Sequence, residues 1–332
     1  YLITYKRLYF IMKCHLIFPQ KDKRTGFAIK NALKRANVNV LISDPKVIDW
    51  TSILNREVSN KSDFVLMSRT APLYKFLMKY KEIYKDSKTK FVCWNTDKRR
   101  NNNHYGADLL GLFKRCDLFY TVAKGDIERF KEIGIEAKWL SQGVDVDTFC
   151  KDVEYDSQYE CDVAFMGSYP SPLIGGEPVH KGRNELIGYV QDKCKRHGYS
   201  FRLYRPYDST AVHGDELIKA CRAAKVVLSH NGFANIGPSP SVRLYEVLGA
   251  KGNVLEEWSE KLMETFGAPF FTYIDPQDAW DNIKAIIDFP SAKEKGCPHL
   301  KQATLMAHKK CIKDHSYDSR INQILGDIHG NK

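Results

Sequence analysis

Between residues 12 and 149 short apolar runs of strand length alternate with helical patterns, and this alternation restricts the fold more than any other feature of the chain. Residues 14–18 read as a strand, and 25–36 as a helix with Ala28, Ile29, Ala32 and Leu33 on one face. Residues 38–42 form a second strand, stopped by Ser43-Asp44-Pro45. Strands at 64–67 and 91–94 flank an aromatic-rich helix at 73–84. Strands and helices of these lengths in alternation imply βαβ units and a doubly wound parallel sheet, whose ligands sit beyond the carboxyl ends of the strands. No G-x-G-x-x-G follows the first strand, which argues against a simple dinucleotide-binding dehydrogenase.

The chain is 332 residues long, enough for two domains of ordinary size, and its 43% hydrophobic and 27% charged content is that of a soluble globular protein. No run of eighteen apolar residues exists, so no transmembrane segment is expected. The opening stretch is basic and apolar, but Lys6, Arg7, Lys13 and His15 interrupt it and no small-residue cleavage site follows; it fails as a signal peptide, and residues 1–11 read as an upstream extension or an edge element. Nine scattered cysteines without a C-x-x-C pair suggest neither a disulfide framework nor a zinc site, and fit a reducing, cytoplasmic setting. The net charge of +11 is more informative. Basic clusters at Lys21-Asp22-Lys23-Arg24, Lys98-Arg99-Arg100, Lys193-Cys194-Lys195-Arg196 and Lys309-Lys310 point to an anionic partner, with a solvated surface as the alternative for each cluster alone.

Residues 226–252 carry the most specific local signal. Val226, Val227 and Leu228 read as a buried strand, Gly232, Gly237, Pro238 and Pro240 punctuate a loop, and Leu244, Val247 and Leu248 recur at helical spacing. Ser241 stands where an N-cap belongs, so the free amides of Val242 and its neighbours suit an anion. Arg243 in the first turn runs against the helix dipole, which makes sense if something negative binds in front of it; Glu246, one turn in, can then accept hydrogen bonds from a ribose. A capped surface helix with a solvated Arg and Glu is the plainer alternative. Elsewhere, Asp97 follows the fourth strand directly, at a carboxyl end where a catalytic base belongs, although Asp also caps turns there. The polar run after it, Lys98 to His104, reads as a loop.

Ser241-Val242-Arg243-Leu244-Tyr245-Glu246 followed by Gly249-Ala250-Lys251-Gly252 resembles the S-x-R-x-x-E…G segment of the CgeB-like (spore-protein type) branch of the group 1 GT-B glycosyltransferases. Three further stretches extend the resemblance: Gly143-Val144-Asp145 with Phe149, which looks like the family's G-V-D-x-x-x-F end of the first domain; Cys161 to Gly167; and His315-Ser316-Tyr317-Asp318-Ser319-Arg320, similar to its closing helix. Ser141-Gln142 stand where many relatives have Pro or Asn. The resemblance implies an α/β protein with two Rossmann-like doubly wound domains facing a cleft, an acceptor-side domain over 1–150 and a nucleotide-sugar-binding domain over 151–332. It also implies donor binding by Gly167 and Ser168 at the end of a strand, by Ser241, Val242 and Arg243 at the diphosphate, and by Glu246 at the ribose. Lys181 and Arg183 end a Gly/Pro-bearing loop where they can meet a diphosphate or merely flank a surface helix.

The expected activity is transfer of a sugar from a nucleotide-sugar, UDP-linked, to an acceptor hydroxyl. Helix amides and basic side chains stabilise the leaving diphosphate, so no metal and no cofactor are expected. Asp145-Val146-Asp147 has the spacing of a metal motif but lies in the G-V-D segment and is assigned to structure. The group 1 resemblance implies retention of configuration, whereas a positioned Asp97 base permits inversion. Lys98, Arg99 and Arg100 are the acceptor-side candidates, and with Trp94 and Tyr105 nearby the basic chain suits a hydroxymethylated pyrimidine flipped out of DNA. A cell-envelope or spore glycan, a lipid acceptor reached by peripheral contact with an anionic membrane, and a non-catalytic nucleotide-sugar or nucleic-acid binder stand as alternatives.

Overall fold

The computed structural model describes residues 11–20, 25–96, 105–171, 173–174, 177–178, 180, 182–206, 208–230, 240–267, 270–288 and 298–330. The chain divides into two compact units, one of residues 1–121, 129–138 and 321–332, the other of 122–128 and 139–320.

In the first unit the order is β1 (Lys13–Ile17), α1 (Thr25–Arg35), β2 (Asn39–Ser43), α2 (Trp50–Asn60), β3 (Phe64–Ser68), α3 (Pro72–Ile83), β4 (Lys90–Asn95), α4 (Ala107–Arg115) and β5 (Leu118–Thr121), followed by α5 (Asp126–Glu132) and β6 (Lys138–Trp139). The sheet runs β2-β1-β3-β4-β5-β6, with β1 parallel to β2 and β3, β3 to β4 and β4 to β5. All five residues of β3 are buried, as a strand covered on both faces requires. Phe113, Phe119 and Phe130 pack ring on ring at centroid separations of 4.3 to 5.9 Å and knit α4, β5 and α5 together. Helix α2 was not legible from apolar periodicity. Asp49 caps it by accepting from Ser52 N at 2.8 Å, and its inner face carries a carboxylate, Glu57, beside Ile53 and Leu54. That carboxylate meets His15 Nδ1 at 3.0 Å and accepts from Ser62 N and Oγ, while His15 Nε2 lies 2.7 Å from Ser43 Oγ. The buried carboxyl group is thus fully hydrogen-bonded, the condition under which such a polar group is tolerated.

The second unit contains α6 (Val146–Phe149), β7 (Cys161–Met166), the short antiparallel pair β8 (Leu173–Ile174) and β9 (Glu177–Pro178), α7 (Arg183–His197), β10 (Phe201–Tyr204), α8 (Asp215–Ala223), β11 (Ala224–Leu228), α9 (Val242–Gly249), β12 (Val254–Glu257), α10 (Glu260–Phe266), β13 (Phe271–Tyr273), α11 (Pro276–Asp288) and α12 (Pro298–His315). Helix α13 (Tyr317–His329) closes the chain. The five-stranded sheet is parallel throughout, in the order β10-β7-β11-β12-β13. Lys195, Arg196 and His197 lie in the last turn of α7, where cations complement the helix dipole.

The second unit begins its main stretch at Trp139 and ends at Arg320, for identifiable reasons. Val144 N donates to His315 O and Tyr317 N to Val144 O, at 2.9 and 3.0 Å, so the G-V-D segment is stitched to the H-S-Y segment. A Cβ on Gly143 would lie 2.8 Å from His315 O, and one on Gly249 only 2.4 Å from Val144 Cγ2; both glycines are needed for close approach. Arg320, buried, donates to the carbonyls of Ser141, Gln142 and Asp314 and to Ser141 Oγ, so this resemblance segment is a helix junction and a clasp. Beyond Arg320 the chain returns to the first unit, where Asp327 accepts from Tyr120 Oη and Lys138 Nζ at 2.5 and 2.9 Å. Among the described residues no helix is long and apolar enough to cross a membrane.

Candidate functional site

In the second unit the chain leaves β7 towards β10 on one side and then towards β11, β12 and β13 on the other, so the strand order reverses between β7 and β11. In sheets of this kind ligands bind in the crevice beyond the strand ends at that reversal. The helices that follow these two strands, α7 and α9, both begin on this side, and their first amides have no partners within the helix.

Gly167 and Ser168 lie directly after β7, with Gly167 N donating to Tyr204 O at 3.0 Å. Ser241 is the N-cap of α9, in an extended conformation, and makes no side-chain capping bond. Val242 opens the helix. Arg243 Nη1 stands 2.8 Å from Glu246 Oε2, and Arg243 Nε is buried without a hydrogen-bond partner. Burial raises the Glu246 carboxyl above the ordinary range, against the lowering influence of Arg243. Of the expected donor residues, Gly167 and Ser168 thus follow β7 and Ser241, Val242, Arg243 and Glu246 lie at the start of α9, where Arg243 and Glu246 engage each other.

Arg183, expected at the end of the Gly/Pro-bearing loop, is a buried side chain. It is the first residue of α7, preceded by Gly182 at φ 77°, and is only 7% exposed. Its Nη2 donates to His230 O at 3.1 Å and its Nη1 to Ser168 O at 3.4 Å, joining the ends of β11 and β7, while its carbon lies 5.6 Å from the Phe165 ring centre. Burial pulls its basicity down to about 10, with Tyr273, Glu256 and Glu257 opposing. Its Nε has no hydrogen-bond partner. Asn184 and Ser171 hold the base of the preceding loop, through Ser171 N to Asn184 Oδ1 and His180 N to Ser171 Oγ.

Sequence reasoning missed the groups behind Arg183. Ser229 Oγ donates to Glu256 Oε2 at 2.7 Å, Tyr273 Oη donates to Ser229 O at 2.9 Å, and His230 Nδ1 lies 3.1 Å from Tyr273 Oη and 3.5 Å from Glu257 Oε2. Burial pushes Glu256 up to about 7. The available signal was positional: Ser229-His230, Glu256-Glu257 and Tyr273 end three adjacent strands on the ligand side of one sheet.

Asp97, Lys98, Arg99, Arg100 and Lys181 lie outside the described residues. Trp94 and Tyr105, expected near an acceptor, are core residues at 0% and 3% exposure, the Tyr105 hydroxyl accepting from Asn95 Nδ2; neither ring faces solvent. Asp145, the N-cap residue of α6, makes no side-chain bond to a backbone N–H of the helix and accepts from Thr148 Oγ1 at 2.6 Å. Among the described residues no three His, Cys, Asp or Glu side chains converge as metal ligands.

Two doubly wound parallel sheets of this kind define an α/β protein of the GT-B glycosyltransferase architecture. Residues 179–326 match a family model described as glycosyl transferase-like, which covers α7 to α13 and hence the switch-point helices. Among solved structures, the chain is similar to an alpha-glucosyltransferase in complex with UDP-glucose and DNA containing an abasic site (TM-score 0.63, 8% identity, 96% of this chain and 99% of that one). It is similar also to an alpha-glucosyltransferase in complex with UDP and a 13-mer DNA containing an HMU base (TM-score 0.64, 8% identity, 96% and 100%). A glycosyltransferase from Rickettsia africae gives TM-score 0.58 at 12% identity over 98% and 100% of the two chains. No curated protein sequence matches the chain.

Proposed function

We propose that the protein is a glycosyltransferase that moves a sugar from a UDP-linked donor to an acceptor hydroxyl, with the donor on the second unit. The observation that carries this reading is the switch point between β7 and β11, where the starts of α7 and α9 supply free amides and Arg243 a guanidinium, within the segment that matches the glycosyl transferase-like model. Ser241, Val242, Arg243 and Lys181 hold the diphosphate, Gly167 and Ser168 let it approach the strand end, and Glu246 accepts from the ribose. Arg183 shapes the floor of the site. The charge that develops on the leaving diphosphate is met by oriented amides and cations that need no reorganisation, so transfer proceeds without a metal. Within this class we assign the chain to the CgeB-like branch, on its S-x-R-x-x-E segment and the interlocked G-V-D and H-S-Y-x-x-R segments.

For the acceptor we propose a hydroxymethylated pyrimidine in DNA, reached in the cytoplasm, with Asp97 as base and Lys98, Arg99 and Arg100 on the phosphates. The net charge of +11 and the DNA bound by two similar alpha-glucosyltransferases support this choice over a glycan or lipid. Each phosphate neutralised releases counterions, so log affinity for such DNA falls linearly with log salt by about 0.9 per contact. Neutralising Lys98, Arg99 and Arg100 together flattens that slope and leaves UDP binding intact. Salt-independent activity, or transfer to a lipid or free glycan and none to modified DNA, removes DNA as the acceptor. Chelation of divalent ions leaves the rate unchanged; loss on chelation with rescue by a divalent cation contradicts the metal-free site.

A further inference from the structure

Arg243 and Glu246 hold each other in a way that leaves both side chains incomplete. Nη1 and Oε2 stand 2.8 Å apart, yet their approach is outside hydrogen-bond alignment, so Nη1, Nε and Oε2 are all buried without a hydrogen bond. The charges are matched and the hydrogen-bonding capacity is not. Each such atom costs free energy, and the cost is relieved by any ligand that brings an acceptor to the guanidinium and a donor to the carboxylate.

The helix itself cannot yield. Leu244, Tyr245, Val247 and Leu248 are at most 1% exposed, so the backbone of α9 is fixed in the core and any exchange of partners falls to the side chains. Arg243 is in the first turn and Glu246 one turn on, so the pair draws the guanidinium down the helix, away from the free amides at its start. Ser241, the N-cap, makes no side-chain capping bond, so its hydroxyl does not occupy those amides. An anion in front of them competes with Glu246 for the guanidinium. A diphosphate carries more charge and more acceptor oxygens than one carboxylate, and it wins that competition. Glu246 is then a carboxylate without its cation, in surroundings that already raise it above the ordinary range. It needs hydrogen-bond donors, and ribose hydroxyls supply them.

We propose that the Arg243–Glu246 contact is a specificity device that makes recognition of the donor's ribose conditional on its diphosphate. The assignment rests on the donor site proposed above and specifies how that site selects a nucleoside diphosphate over a nucleoside. Arg243 engages Glu246 until the phosphates take the arginine, so the two halves of the ligand bind with positive coupling. The coupling is reciprocal, as every coupling of binding free energies is.

Four ligands read the coupling on the full chain: UDP and uridine, each with its ribose hydroxyls and as the 2′,3′-dideoxy form. Calorimetry serves for the diphosphates and ligand-observed NMR for the more weakly held nucleosides. In the unsubstituted protein, loss of the hydroxyls should weaken UDP about tenfold and leave uridine unchanged. Inorganic phosphate should tighten uridine by a similar factor, a result that needs no variant. In Arg243→Gln the hydroxyls should count equally on UDP and on uridine, and phosphate should no longer tighten uridine. Glu246→Gln should also lose the effect of phosphate. If the hydroxyls contribute equally to UDP and uridine in the unsubstituted protein, or if phosphate still tightens uridine in Arg243→Gln, the coupling is overturned and the donor site stands. Uridine that fails to bind even with phosphate, in a protein that binds UDP, overturns the coupling in the same way. Failure of the unsubstituted protein to bind UDP overturns the donor site and this assignment together.

Discussion

Arg243 Nη1 lies 2.8 Å from Glu246 Oε2 across one turn of α9. An arginine in a first turn opposes the helix dipole, and the ion pair offsets that at the cost of burying a carboxylate. The first prediction concerns this pair. Glu246→Ala should weaken UDP binding by about 1–3 kcal/mol, the range for a lost charged hydrogen bond. Unchanged affinity in a calorimetric titration places the ribose elsewhere.

Arg320 gives the second. Its guanidinium donates to three carbonyls and a hydroxyl around Ser141, Gln142 and Asp314, and Arg320→Ala strands those acceptors inside the second unit. The loss should be about 3 kcal/mol or more, read as a lower urea midpoint at constant slope. A loss below about 1 kcal/mol contradicts the clasp.

The third lies in the first unit. Glu57→Ala leaves buried His15 and Ser62 without their hydrogen-bond partner and should cost about 1–3 kcal/mol for each group left unsatisfied. Val58→Ala on the same helix, outside that network, serves as the comparison and should cost less.

The two sheets and the start of α9 were legible in the sequence because strand runs such as Phe64–Ser68 are apolar throughout and the helices between them keep one apolar face. Helix α2 was hidden because Glu57 occupies its inner face, and α12 because it turns Ala307, His308, Cys311 and His315 inward, a face too small and polar to read as amphipathic. The stitching of the G-V-D segment was not legible because no local pattern shows that Val144 pairs with residues 171 or more positions away, His315 and Tyr317. For the same reason Ser241, Val242, Arg243 and Glu246 could be read from one contiguous segment. Ser229, His230, Glu256, Glu257 and Tyr273 meet only through the parallel register of β11, β12 and β13.

The fourth prediction uses two buried groups whose displacements run in opposite directions. Glu256 is raised from 4.5 to about 7, so it binds its proton more tightly when folded; its contribution is full below pH 4.5 and is lost as pH rises to about 7. His315 is lowered from 6.5 to about 4 by burial and Arg320, so its contribution is full above pH 6.5 and is lost as pH falls to about 4. Each amounts to about 3 kcal/mol at full extent, and between these limits they largely cancel. Urea unfolding across that interval should be nearly flat for the unsubstituted protein. Glu256→Gln should leave stability rising with pH, and His315→Gln should leave it falling. Parallel curves for all three proteins contradict the assignment of both groups.

Sugar transfer itself is tested most directly by incubating the protein with UDP-glucose and duplex DNA containing hydroxymethylated pyrimidines, then measuring the mass of the DNA. The account predicts a gain of one sugar per modified base, retained in chelator, abolished by Glu246→Ala with Arg243→Ala, and absent with unmodified DNA. If UDP-glucose and other nucleotide-sugars are neither bound nor consumed, and no hydroxylated acceptor gains mass, the glycosyltransferase reading is contradicted.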